Sequence, residues 1–277
     1  MKIAIIGLGL IGGSLALEFS KNHTVFGLDN NQEHQQQALD LRLVSKIISF
    51  DKIDLMDVIV VAVPVDKTAD VVFSVLNKIT KNILVFDVGS TKENVCKKVK
   101  NHPKRNQFLA THPIAGTEFS GPKAAVKNLF TDKVNIICEQ SQTAKEKLVL
   151  YQALMKPLQM RFVFMENASQ HDKHIAYVSH LSHISSFMLG KTVLEIEKEE
   201  ETIFNMAGSG FESTVRLAKS APSTWTPIFL QNKKHILNAL EEYIRNLQEF
   251  KRNIENKEQE KIYNTIKKTN KIKEILN

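Results

Sequence analysis

The run Gly7-Leu8-Gly9-Leu10-Ile11-Gly12 constrains this chain more than any other feature, because it sits directly behind the apolar residues 3–6 and opens into Gly13-Ser14-Leu15-Ala16-Leu17. A strand that turns through G-x-G-x-x-G into a helix is the first unit of a dinucleotide-binding βαβ fold. Gly7 makes the tight turn, Gly9 lets the backbone approach a pyrophosphate, and Gly12 lets the helix pack closely on the strand. The helix N-terminus then offers free N–H groups and a positive dipole end to phosphate. Asp29 closes the next strand, 17 residues after Gly12, where a carboxylate accepts hydrogen bonds from an adenosine ribose 2′-hydroxyl and repels a 2′-phosphate. The pattern predicts NAD rather than NADP, with Asn30 and Asn31 adding polar reach toward the ribose. The plainer alternative is that the glycines only make a turn and Asp29 caps the following helix. A methyltransferase also carries a glycine-rich first turn, but G-x-G-x-x-G with an acid at the second strand end fits a nicotinamide enzyme better.

Short apolar, β-branched runs at 3–6, 24–29, 58–63, 83–87, 108–110, 134–138 and 162–165 alternate with amphipathic segments such as 66–79 and 144–158. Near-continuous apolar strands separated by helices imply a sheet covered on both faces. The expected fold is α/β, a Rossmann-type doubly wound, mostly parallel sheet over residues 1–166, followed by an all-α domain over 167–277. In the second part, helical periodicity covers 169–199, 202–217, 224–250 and 254–276, with Pro222 and Pro227 marking a helix start after a loop. Long apolar helix faces on so small a domain call for a second copy of the chain, hence a homodimer.

With 43% hydrophobic and 24% charged residues among 277, the chain is neither disordered nor fibrous. No apolar run approaches the roughly 18 residues a membrane span needs, and no signal-peptide cleavage pattern follows the N-terminus, so a cytoplasmic protein is expected. Cys96 and Cys138 form neither a disulfide framework nor a metal spacing. The net charge of +7 is spread along the chain. In 246–277 the basic residues interleave with isoleucines at helical spacing, which describes a solvated amphipathic helix rather than a nucleic-acid arm. The excess favours an anionic small-molecule substrate.

Ser90, in Gly89-Ser90-Thr91-Lys92, falls at the carboxyl edge of the sheet, where open α/β folds place ligands. It reads equally as an N-cap, with Glu93 completing a capping box. His112, in Thr111-His112-Pro113-Ile114-Ala115-Gly116, reaches the same edge, and its near-neutral pKa suits it to accept a hydroxyl proton as hydride leaves the same carbon. The spacings His171/His174 and His180/His183 lack a carboxylate or cysteine to complete a metal site, so no metal is expected. Arg216 is a candidate carboxylate clamp and Trp225 a candidate pocket wall; the alternatives are a surface arginine and a core aromatic.

Taken together, GLGLIGGS at Gly7, DVGSTK at Asp87, THPIAGTEFSGP at Thr111, QHDKHIAYVSHLSH at Gln170 and AGSGFESTVRLAKSAPSTW at Ala207 resemble the prephenate/arogenate dehydrogenases of tyrosine biosynthesis over residues 1–235. The resemblance implies a nucleotide-binding domain, a helical dimerisation domain and an active site in the cleft between them. It also implies oxidation of prephenate by NAD with loss of CO2 to give 4-hydroxyphenylpyruvate. On that basis His112 accepts the hydroxyl proton and Ser90 orients it, His183 and Arg216 bind substrate carboxylate, Glu118 belongs to a gate at the pocket mouth and Trp225 to its wall. Two positions depart from the family pattern: Ser182 stands where proline is common, and Ser213 where some members carry an acid. No regulatory domain is expected after the helical tail. Arogenate in place of prephenate stays open. A β-hydroxyacid dehydrogenase, with Lys173 as its catalytic lysine, and a non-catalytic dinucleotide sensor are the rival readings.

Overall fold

The computed structural model describes residues 1–200 and 202–275. Among these, one eight-stranded sheet is built from β1 (Lys2–Ile6), β2 (Thr24–Leu28), β3 (Lys46–Ile47), β4 (Val58–Val61), β5 (Leu84–Asp87), β6 (Phe108–Pro113), β7 (Val134–Cys138) and β8 (Arg161–Met165), in the order β3-β2-β1-β4-β5-β6-β7-β8. The helices are α1 (Leu10–Phe19), α2 (Gln32–Asp40), α3 (Val65–Lys78), α4 (Glu93–Val99), α5 (Lys145–Met155), α6 (Ala168–Ile175), α7 (Leu181–Glu200), α8 (Ser209–Val215), α9 (Pro222–Gln231), α10 (Lys233–Glu255) and α11 (Gln259–Thr269).

Strand alternation explains the two-sided core. Ile3, Ile5, Val58, Val60, Leu84 and Phe86 enter one apolar cluster, while Ala4, Ile6, Ile59, Val61 and Val85 enter the other across the sheet. Every pairing is parallel except β6 with β7. Between those two strands the only regular element is the short 3-10 turn Pro122–Ala124. Without a crossover helix the chain re-enters the sheet at the same edge it left, with Pro113 at the end of β6 opposite Asn135 near the start of β7.

Four expectations change. The two-residue β3 is too short to carry a periodic signal. Strand β6 runs past 110 to Pro113, so His112 lies inside the sheet, paired with Ile136, rather than on a loop beyond it. The single helix expected at 224–250 breaks at Asn232, whose side chain bonds elsewhere in the fold; α9 begins with Pro222 at its first turn and holds Pro227 inside. The stretch 202–217 holds only α8 and flanking 3-10 turns. Leu276, at the end of the expected tail helix, lies outside the described residues.

The helical part keeps little core of its own: Ala176, Ile236 and Ala239 are its buried apolar cluster, while Met188, Leu194, Leu230, Ile244 and Leu247 are exposed. It docks on the sheet domain through α6 against α4 and α9 against α3. No described helix is long and apolar enough to cross a membrane.

Candidate active site

At the amino-terminal end of α1 the glycines take distinct roles. Gly7 has φ +96°, and a Cβ there would lie 2.4 Å from the Ala62 carbonyl oxygen; a Cβ on Gly12 would lie 2.0 Å from the Gly7 oxygen. Gly9 faces open space, with nothing within 4 Å of an added Cβ, and no side chain caps α1. Asp29 closes the cradle from β2. Its Oδ2 accepts the Leu8 N–H at 2.8 Å and its Oδ1 the Asn31 N–H at 2.9 Å, which fixes the carboxylate between the glycine turn and α2. The cap of α2 is Asn31, whose Oδ1 accepts from the N–H groups of Glu33 and His34. Asp29 is therefore not the cap, and the Asn31 Oδ1 is engaged in capping rather than open toward a ribose. An open backbone cradle, uncapped N–H groups and an adjacent carboxylate fit a dinucleotide.

Ser90 and His112 both lie at the carboxyl edge, beyond β5 and near the end of β6. Ser90 does not cap α4. That helix begins at Glu93 without a side-chain cap from its own segment; the carboxylate of Asp172, 79 residues on, accepts the N–H groups of Lys92 at 2.7 Å and Glu93 at 2.9 Å. The Ser90 hydroxyl is thereby left to the site. Beneath it, Lys92 forms a fully buried ion pair with Asp87 and donates to the Thr111 carbonyl at 2.7 Å, tying β5 to the strand that carries His112.

His112 is buried, with its Nδ1 2.9 Å from His171 Nε2, and His171 Nδ1 is 2.7 Å from Asp172 Oδ1. Behind them Asn232 donates to the Asp172 carbonyl at 2.7 Å and lies 3.1 Å from His180 Nδ1. Burial, reinforced by His171, Lys92 and His180, holds the His112 imidazole well below the ordinary histidine range. Burial brings His180 down to about 4. His112 is therefore neutral at pH 7 and able to accept a proton.

The remaining candidate residues stand mostly on the helical part. A π turn, Ala176–His180, joins α6 to α7, a backbone irregularity common at functional sites. His183 follows it, stacked on Trp225 with ring centroids 3.4 Å apart and donating from Nδ1 to the Ser179 carbonyl at 3.0 Å. Burial and the Arg216 charge lower the His183 pKa, against the Ser179 hydrogen bond, which raises it. Arg216 is exposed on the turn after α8, and Glu118 is half-buried on the loop after β6; no ion pair joins the two. Ser182 donates weakly to the Val178 carbonyl at 3.5 Å, and Ser213 to the Gly210 carbonyl at 3.0 Å, so both departures from the family pattern are absorbed within their own helices. Lys173 is exposed, on the side of α6 away from buried His171 and Asp172, which removes the support for a catalytic lysine there. His174 is exposed as well, and among the described residues no group of three or more His, Cys, Asp or Glu is arranged to hold a metal ion.

Reasoning from the sequence missed Lys92, His171, Asp172 and Asn232. The signal for Lys92 was Asp87, a charge ending an otherwise apolar buried strand, which requires a partner. In the sequence His171 stands out only through its spacing to His174, although its neighbour Asp172 is the kind of group that orients an imidazole.

The family model described as prephenate dehydrogenase, nucleotide-binding domain, matches residues 14–164, and that described as prephenate dehydrogenase, dimerization domain, matches residues 167–268. The chain is 31% identical to a prephenate dehydrogenase of Bacillus subtilis over 96% of its length and 73% of the relative's, and 30% identical to one of Lactococcus lactis over 99% and 77%. In fold it is similar to the prephenate dehydrogenase of A. aeolicus in complex with hydroxyphenyl propionate and NAD+, with a TM-score of 0.89 at 27% identity over 100% of this chain and 98% of that one. The eight-stranded Rossmann-type sheet, the helical second part and these matches agree, and the chain belongs to the prephenate dehydrogenase family.

Proposed function

We propose that the chain catalyses the NAD-dependent oxidative decarboxylation of prephenate to 4-hydroxyphenylpyruvate. The observation that carries this reading is the buried His112 near the carboxyl end of β6, its Nδ1 2.9 Å from His171 Nε2, on a sheet whose first strand leads into the glycine cradle. We assign Gly7, Gly9, Gly12 and Asp29 to the cofactor, Ser90 and His112 to the reacting hydroxyl, and His183, Arg216, Glu118 and Trp225 to the substrate, with the boundary between the two domains at residue 166. Held at Gly7, Gly9, Gly12 and Asp29, NAD would supply the hydride acceptor for the carbon that bears the ring hydroxyl. His112 Nε2 takes the hydroxyl proton as that C–H bond breaks, and Ser90 orients the hydroxyl toward it. Loss of the ring carboxylate as CO2 then sends the electron pair of the broken C–C bond through the ring, which becomes aromatic, onto the oxygen, and protonated His112 returns the proton to give the phenol.

Turnover tests the reading: purified protein with prephenate or arogenate, each against NAD or NADP, reduces cofactor fastest with prephenate and NAD. A preference for arogenate moves the substrate assignment to the amino acid while keeping the chemistry, and no reduction in any combination contradicts the proposal. Asp29→Ser raises the kcat/KM ratio of NADP to NAD by about tenfold or more, because it removes one charge from beside the ribose; an unchanged ratio contradicts the ribose assignment.

Substrate binding is linked to a proton. With Nδ1 tied to Ser179, a neutral His183 presents only a lone pair at Nε2, so it contacts a carboxylate favourably only after taking up a proton. Its lowered pKa places the uncharged form in the free protein at neutral pH. The KM for prephenate rises with pH through the neutral range while kcat changes little. A KM independent of pH from 6 to 8 contradicts the role of His183.

We also infer a homodimer through the helical part, whose exposed apolar side chains on α7, α9 and α10 outnumber its buried ones. Light scattering is expected to return twice the 31.4 kDa chain mass; a monomeric mass at micromolar concentration contradicts it.

A further inference from the structure

The buried chain behind His112 has a direction. Asp172 Oδ1 and Oδ2 accept the backbone N–H groups of Lys92 and Glu93, so the carboxylate can only accept from its remaining neighbour, and His171 must donate from Nδ1 at 2.7 Å. A neutral imidazole that donates from Nδ1 has a lone pair on Nε2. His171 Nε2 therefore accepts, over 2.9 Å, a proton that sits on His112 Nδ1.

We propose, resting on the reading of His112 as the base, that His171 and Asp172 are positioning residues that hold the His112 proton on Nδ1 and so keep Nε2 as the bare acceptor for the substrate hydroxyl. A second proton on His171 would reverse the chain and cover the His112 Nε2. Burial, with the Lys92 ammonium beside it, opposes that cation more than the Asp172 carboxylate favours it. The groups around the two rings are Lys92, Asp87, Asp172 and His180. When His112 takes the hydroxyl proton, its Nδ1–H becomes a charge-assisted donor to His171, so the contact strengthens as the base becomes cationic.

The arrangement also gives the interface between the two parts a purpose. His171 and Asp172 stand on α6, His112 on β6, and the same Asp172 carboxylate that ends the chain supplies the missing cap of α4. The acceptor at Nε2 is defined only when the helical part is docked on the sheet.

The test compares the wild type with His171→Gln and His171→Leu, all with NAD bound. Glutamine places an acceptor Oε1 where Nε2 stood and an amide N–H toward Asp172; leucine fills the space without either. Histidine 15N chemical shifts are expected to show His112 protonated on Nδ1 and bare on Nε2 in the wild type and in His171→Gln. In His171→Leu the proton moves to Nε2, the ordinary preference of a neutral histidine. His171→Leu lowers kcat by about a hundredfold, within the range for lost general-base catalysis, with the KM for NAD within about threefold, and His171→Gln stays within about tenfold of the wild type. A role in packing alone would favour leucine over glutamine and leave the tautomer unmoved. The proposal is overturned by a wild-type His112 bare on Nδ1, by a His171→Leu variant that keeps its kcat, or by equal losses in both variants. If His171→Leu fails to fold, the wild-type tautomer and His171→Gln still decide. Absence of prephenate turnover in the wild type would instead remove the functional reading, and the 15N measurement would still report the tautomer.

Discussion

Replacing His112 by asparagine lowers kcat by about two to four orders of magnitude, the span that positioned general-base catalysis contributes, and leaves NAD affinity within about threefold. The asparagine amide N–H can still reach His171 Nε2, so the buried chain keeps its partner and the sheet edge its shape. What disappears is the lone pair at Nε2, the one atom placed to receive the hydroxyl proton as hydride departs. The cofactor cradle at Gly7, Gly9, Gly12 and Asp29 belongs to other strands and is untouched. Steady-state kinetics together with calorimetric NAD titration checks both halves; a kcat within tenfold of the wild type would remove His112 from the chemistry. The pH profile follows from the same environment. Because burial lowers the His112 pKa, the base stays unprotonated through neutrality, and kcat falls only as the pH drops below the usual histidine range.

Replacing Lys92 by methionine costs about 3–5 kcal/mol of stability, the usual consequence of removing one partner from a buried ion pair. Neither member of the Lys92–Asp87 pair has solvent exposure. Without the ammonium, the Asp87 carboxylate retains only the N–H groups of Gly89 at 3.0 Å and Thr111 at 3.4 Å, and the Thr111 carbonyl loses the donor that ties β6 to β5. The exposed pair Lys191–Glu195 on α7 is different, since an i,i+4 pair in water contributes about 0.3–0.5 kcal/mol. Urea unfolding of Lys92→Met and of Lys92→Met with Asp87→Asn separates the terms: the second change recovers part of the loss by removing the stranded charge. A loss below about 1 kcal/mol for the single variant would mean that Asp87 is not charged in the folded protein.

The parts of the candidate site differ in how visible they were in the sequence. His112 was legible because its surroundings are local: an apolar strand, a histidine at its end and a proline after it. The glycine cradle was legible because turn geometry dictates residue type directly. The His171–Asp172 chain was not, because its meaning depends on α6 packing against α4, a contact between residues about 80 positions apart. The capping box proposed at Ser90 failed for the same reason: a distant carboxylate took the place of the local cap. Helix boundaries in the second part were blurred where tertiary bonds override periodicity, as at Asn232, which interrupts an apolar repeat to bond Asp172 and His180. The antiparallel β7 was hidden because strand direction is set by the connection, and the segment between β6 and β7 lacks a crossover helix.

The most direct test of the account follows carbon and hydride together. Prephenate carrying 13C in its ring carboxylate is supplied with NAD, and NADH and 13CO2 are measured over the same interval. One CO2 released for each NADH formed is the predicted result, because hydride loss and decarboxylation belong to one oxidation. NADH formed without 13CO2, as a simple hydroxyacid dehydrogenase would give, or neither product from folded, NAD-binding protein, would contradict it.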